Sequence, residues 1–166
     1  MHFKRWVIDA DTSDFSLEDD EVEKDMAFGS GDVNAHIDFQ KRQGEFKSND
    51  GEKEVKFPIN QYVCKMDMFT WYMDAEEIEL SKSGDAADVN IETDLDLAGS
   101  NFFSINKKQD SLNFMAPKAK FSIKKKTIEC KEVEYIDVAD ARIYPDSMRV
   151  LIRRRAKMDP LLNSKI

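Results

Sequence analysis

Residues 53 to 74, KEVKFPINQYVCKMDMFTWYMD, limit the fold more than any other part of the chain. Apolar side chains alternate with polar ones, or run on continuously, along the whole stretch. A surface helix needs them at i, i+3, i+4 and i+7, whereas a pleated strand sends successive side chains to opposite faces. FSIKKKTIECKEVEYIDVADARIYP, 121 to 145, alternates in the same way, and RVLIRRRAKM follows at 149 to 158. The strongest helical stretch, DAEEIELSKSGDAADVN at 74 to 90, has helix-forming residues but too few apolar positions at helical spacing. Short β-branched and aromatic runs broken by charged turns predict an all-β chain.

A loose repeat runs through these segments. Ala119, Phe121, Ile128 and Cys130 superpose on Ala141, Ile143, Val150 and Ile152 at a shift of 22 residues. Phe69, Trp71, Met73, Ile78 and Leu80 follow the same frame. Ile37, Phe39 and Phe46 follow it too, with Lys41 to Gly44 as the turn. Several such units in succession predict stacked hairpins, as in an open jelly roll or β-solenoid, with a β-sandwich as the alternative. Residues 1–34 then form an acidic N-terminal segment with a first strand and a loop, and residues 35–166 the β-repeat region. LLNSKI stops in an apolar pattern, so the repeats are expected to continue past residue 166.

Two segments carry a family likeness: LNFMAPKAKFSIKKKTIECKEVEY, 112 to 135, and ADARIYPDSMRVLIRRRAKM, 139 to 158. Their succession of Ala-x-aromatic, turn and Ile/Val-x-apolar resembles the OstA-like repeats of periplasmic lipopolysaccharide-transport proteins. HIDFQKRQGEFKSNDGEKEVKFP and NQYVCKMDMFTWYMD are also similar in texture to large envelope proteins of Bacteroidota. The first resemblance implies an open β-taco in which Phe121, Ile123, Ile128, Ile143, Val150 and Ile152 line an apolar trough able to hold acyl chains. The same residues, closing on each other, would instead make a dry core. The partners that follow are neighbouring β-repeats, of the same or another chain, joined by strand addition, together with acyl lipid.

Charge is unevenly spread along a chain of formal net charge -8. Residues 8 to 25 hold nine acidic groups and one lysine, whereas residues 118 to 157 hold twelve basic groups against six acidic ones. MHFKRWVIDADTSD has a basic start without the apolar core of a secretory leader. The chain therefore belongs in the cytoplasm or, as an internal piece of a longer secreted protein, in the bacterial cell envelope or periplasm. No run approaches the roughly 18 apolar residues of a transmembrane segment.

Three consecutive arginines are the most conspicuous charge. Strand alternation puts Val150, Ile152, Arg154, Ala156 and Met158 on one face, and Arg149, Leu151, Arg153, Arg155 and Lys157 on the other. Arg149, Arg153, Arg155 and Lys157 thus form a candidate basic face. Arg154, in the inward register, either marks where the strand leaves the core or meets an anion at a trough mouth. Overall acidity and the lack of aromatics interleaved with this stripe count against nucleic acid.

Little else looks like chemistry. Asp9, Asp11, Ser13 and Asp14 suggest a calcium loop, but the required Gly and the terminal Glu are missing, which leaves a solvated acidic connector. FGSGD, 28 to 32, lacks the Lys-Ser/Thr of a phosphate loop and reads as a flexible loop, and DLDLAGSN, 94 to 101, as a turn. His2 and His36 have no ligand pattern around them. Cys64 and Cys130 are too far apart for zinc or CxxC motifs, leaving two buried thiols or one disulfide. No cofactor and no enzyme activity are expected. The resulting expectation is a structural or lipid-contacting envelope module. The alternative is an intracellular β-domain that binds a protein or nucleic acid through its basic strand face.

Overall fold

The computed structural model describes residues 1–19, 25–51, 53–82, 101–161 and 163–166, and the chain is all β. Its strands are β1 (His2–Lys4), β2 (Val7–Glu18), β3 (Met26–Asp38), β4 (Gln43–Ser48), β5 (Lys53–Phe57), β6 (Tyr62–Met66), β7 (Met68–Tyr72) and β8 (Glu77–Ser81). There follow β9 (Phe102–Ser104), β10 (Asn113–Phe114), β11 (Lys118–Ser122), β12 (Thr127–Lys131), β13 (Ile136–Val138), β14 (Ala141–Ile143) and β15 (Arg149–Ile152). All belong to one antiparallel, open sheet. Among the described residues no helix is long and apolar enough to cross a membrane.

The sheet is folded over at β3. The C-terminal half of β3, from Val33 to Asp38, pairs with β4, while Gly29 and Ser30 pair with β5. Along its other edge β3 pairs with β2, from Val7 opposite Asp38 to Glu18 opposite Met26, through several register shifts. Two arms leave this pivot. The first runs β4-β7-β8-β11-β12-β15 and the second β5-β6-β9-β10-β13-β14. The chain visits them in turn, making one hairpin in an arm and then crossing to the other.

The arms face each other across the core. Phe57 on β5 meets Phe121 on β11 at 5.2 Å between ring centroids, and Phe28 on β3 touches both rings at 5.5 and 6.1 Å. Alternation supplies the rest: Phe46, Phe69, Ile78, Leu80, Ile128 and Val150 point inward from the first arm. Val55, Tyr62, Met66, Phe102, Phe114 and Ile136 point inward from the second. Each large apolar side chain buried in this way contributes about 1.5–3 kcal/mol, before the entropy of ordering it.

Four-residue turns join the hairpins of the first arm, and the last residue of each lies in the left-handed region: Arg42, Glu76 and Lys126, at φ 54°, 52° and 54°. Neighbouring turns are tied together, the Met73 amide donating to Arg42 O (3.1 Å) and the Ile123 amide to Glu76 O (2.9 Å).

Several expectations change here. The acidic stretch is no connector but most of the twelve-residue β2. FGSGD is no loop either: it lies inside β3, with Phe28, Gly29 and Ser30 buried. DLDLAGSN lies outside the described residues except for Asn101. The 22-residue frame equates unlike things, because β11 and β12 form a hairpin whereas β14 and β15 lie in different arms. The frames at 69–80 and 37–46 do mark true hairpins of the first arm.

Candidate interaction surface

The residues expected to line a trough are packed instead. Phe121, Ile128, Val150 and Ile152 are at most 1% exposed, and Ile123 and Ile143 are half-buried against the same cluster. Their inward register comes from the alternation of β11, β12, β14 and β15, and the facing arm fills the space in front of them. Turns of the second arm also reach across. Asn60 Nδ2 donates to Lys126 O at 2.8 Å, the Arg155 amide to Ile59 O at 2.9 Å, and Gln109 Nε2 to Ala156 O at 2.7 Å.

The arginine triplet is not part of a strand. β15 ends at Ile152, and Arg154–Ala156 form a single 3-10 turn in which Arg155 takes φ 55°. The alternation that would carry Arg154 inward therefore stops two residues before it, and Arg154 is exposed. The candidate basic face is divided for the same reason. Arg149 stays on β15 and pairs with Glu129, while Arg153 holds Asp159 through Nε at 2.5 Å and Nη2 at 3.0 Å. That fork keeps the Asp159 carboxyl below its usual range and raises the Arg153 guanidinium. Arg155 sits on the turn and Lys157 on the returning chain, both exposed.

Strand register reveals a different grouping. Gln43 opposes Tyr72, Tyr72 opposes Glu77, Glu77 opposes Ser122, and Ile128 opposes Ile152. The hairpin turns of the first arm therefore lie side by side on one rim. At its N-terminal end the β1–β2 turn joins the row, with the Phe39 amide donating to Trp6 O at 2.8 Å. In rim order the tips carry Lys4 and Arg5, then Lys41 and Arg42, then Asp74 and Glu76, then Lys124 and Lys125, then Arg153 to Arg155, all exposed. Arg42 pairs with Asp74 at 2.6 Å across adjacent tips. Lys126, the last residue of its turn, instead points inward to Asp19 at 3.4 Å, both side chains being 2% exposed.

This rim was readable in principle. Ile37 to Gly44, Trp71 to Ile78 and Phe121 to Ile128 are equal intervals between apolar partners, and each brackets a turn. Equal spacing shows that KR, DAE and KKK occupy equivalent places, a signal that the single-strand treatment of RRR passes over.

Other surfaces are less concentrated. On the outer face of the first arm a shallow groove of about 860 Å³ runs past Lys120, Glu129, Arg149 and Arg153. Its charges are mutually compensated, Lys120 lying 3.5 Å from Glu77 and 3.7 Å from Glu79. Cys64 and Cys130 are free thiols, and complete burial pushes both well above the usual thiol range, so neither is a ready nucleophile. Among the described residues no three His, Cys, Asp or Glu side chains gather as metal ligands. No family model, curated protein or solved structure matches the chain.

Proposed function

We propose that the chain is a non-catalytic β-repeat module of a bacterial cell-envelope protein, acting as a scaffold that joins other modules edge to edge. The observation that carries this reading is that the outer strands at both ends of the sheet are covered only in part among the described residues. At the N-terminal end β1 covers only Val7 to Asp9 of β2, and among the described residues nothing pairs with the outer edge beyond. At the other end isolated bridges cover part of β15 and the residue after β14. The Arg153 amide donates to Lys157 O (2.6 Å) and the Asp159 amide to Leu151 O (3.1 Å), while Tyr144 and Lys165 exchange both backbone bonds.

The ends are also complementary in charge. The open edge of β2 bears exposed Asp11 and Glu18, and the last rungs bear exposed Lys157 together with Arg142, Arg149 and Arg153, each of these arginines already paired with a carboxylate of its own chain. A head-to-tail contact of this kind is heterologous and extends without closing. Unused backbone donors and acceptors supply its affinity, and opposite charge its direction.

Sedimentation velocity over a range of protein concentrations tests the proposal. Larger species should appear with concentration and recede with added salt. Asp11→Lys with Glu18→Lys should abolish them while the circular dichroism stays that of a β protein. A chain monomeric at every concentration and salt would sink the scaffold reading. Retention of acyl lipid by the folded protein would support a conduit instead.

A further inference from the structure

We propose that the basic rim of the first arm is a docking edge for an anionic lipid bilayer, with Trp6 and Phe39 as its interfacial anchors. This goes beyond the scaffold role and uses a surface that shares only Arg153 with the edge used in strand addition. The chain has an excess of acid overall, yet four of the five tips on this rim are cationic. The ammonium groups of Lys4, Lys41, Lys124 and Lys125 form no ion pair among the described residues, although the Lys41 amide donates to the Asp38 carboxylate at 3.1 Å. Such a gathering of like charge is unfavourable unless an anionic surface answers it.

Two aromatics sit in the same row. Trp6 is 49% and Phe39 41% exposed, on adjacent tips joined by the backbone bond between them, and the Arg5 guanidinium lies over the Trp6 ring at 5.8 Å. Exposed Trp beside Lys and Arg is the composition of a protein edge that sits at the headgroup level of a membrane. Successive strands are spaced by about 4.8 Å, so the rim from β1 to β15 spans roughly 40 Å.

The shape decides between a bilayer and a nucleic acid. A single-stranded nucleic acid is held in a groove with aromatic platforms along its length. Here the cations stand on protruding turn tips, and both aromatics lie at one end. A flat, extended anionic surface fits that arrangement.

The test uses vesicles of phosphatidylcholine alone and vesicles that also contain phosphatidylglycerol, with Trp71→Phe as the background so that emission reports Trp6. Co-sedimentation should occur only with the anionic vesicles and weaken with added salt, and Trp6 emission should shift to shorter wavelength. Arg5→Glu with Lys41→Glu, and separately Lys124→Glu with Lys125→Glu, should each weaken binding by roughly tenfold or more. The same number of reversals on the second arm, Lys56→Glu with Lys65→Glu, should leave it unchanged. The proposal falls if the folded protein ignores phosphatidylglycerol at low salt, or if the tip reversals bind as well as wild type. It falls equally if a single-stranded oligonucleotide binds more tightly than the vesicles and depends on the same tips.

Discussion

Five of the six strands in the first arm are five or six residues long, whereas from β9 onward those of the second shrink to two or three. The two arms face one core yet meet their backbone demands differently. Long strands satisfy amides and carbonyls by ladder pairing. Where strands are short, side chains must do it, because a buried unpaired backbone group costs as much as a lost hydrogen bond. Asn101 shows how. Buried among β6, β9 and β10, it donates from Nδ2 to Ala116 O and accepts the Ala116 amide on Oδ1, both at 2.8 Å. Farther along, Gln109 accepts from Tyr62 Oη at 3.0 Å and from Ser104 Oγ at 2.5 Å. The Tyr62 hydroxyl is consequently buried, which raises its pKa. The first arm therefore depends on register and apolar packing, and the second on a few buried amides.

Removing the ring shared by the arms should have the largest effect. Phe121→Ala should cost about 3–5 kcal/mol in urea unfolding, since it opens a cavity against Phe28 and Phe57. A cost below about 1 kcal/mol would mean that the arms do not share this core. Asn101→Leu comes next, with roughly 2–4 kcal/mol expected from two stranded backbone groups of Ala116. Hydrogen exchange should then quicken in β9 and β10 before β7, β8, β11 and β12; uniform quickening would erase the distinction between the arms. Lys120→Ala, on the outer face, should change stability by less than about 1 kcal/mol, because its partners Glu77 and Glu79 are also solvated.

The smallest effect concerns acid. The Asp159 carboxyl is depressed by Arg153, so its stabilisation is complete above the ordinary value of 3.8 and lost as pH falls through the lower folded value. The difference in urea midpoint between wild type and Asp159→Asn should therefore be present at neutral pH and close in acid. A difference that persists in strong acid would assign the effect to packing.

Alternation made the strands and most inward residues legible, Phe69, Phe121, Ile128 and Ile152 among them, because period two is a local property. Pairing was not legible. The crossover from β6 to β7 takes one residue, Asp67, and that from β10 to β11 takes Met115 to Pro117, both shorter than the hairpin turn Met73–Glu76. Connection length therefore does not tell a crossover from a hairpin, which is why the 22-residue frame joined β14 to β15. β2 was hidden for another reason. It lies at the sheet margin, where Phe15 and Leu17 pack on one side while Asp11, Asp14 and Glu18 face solvent, so its composition is that of a loop. The arginine triplet misled because Arg, Ala and Met continue the alternation in letters after the backbone has turned.

The pivot at β3 has a consequence for how the molecule is made. As β3 leaves the ribosome behind β2, it already offers the starting edge of both arms, and each later hairpin finds its template complete when it emerges. Such a chain assembles by accretion, each rung needing only the one before it, as in linear repeat proteins. Damage should then be directional. Deleting β13 to β15 should leave the earlier rungs with protected amides, whereas deleting β1 to β3 should leave none.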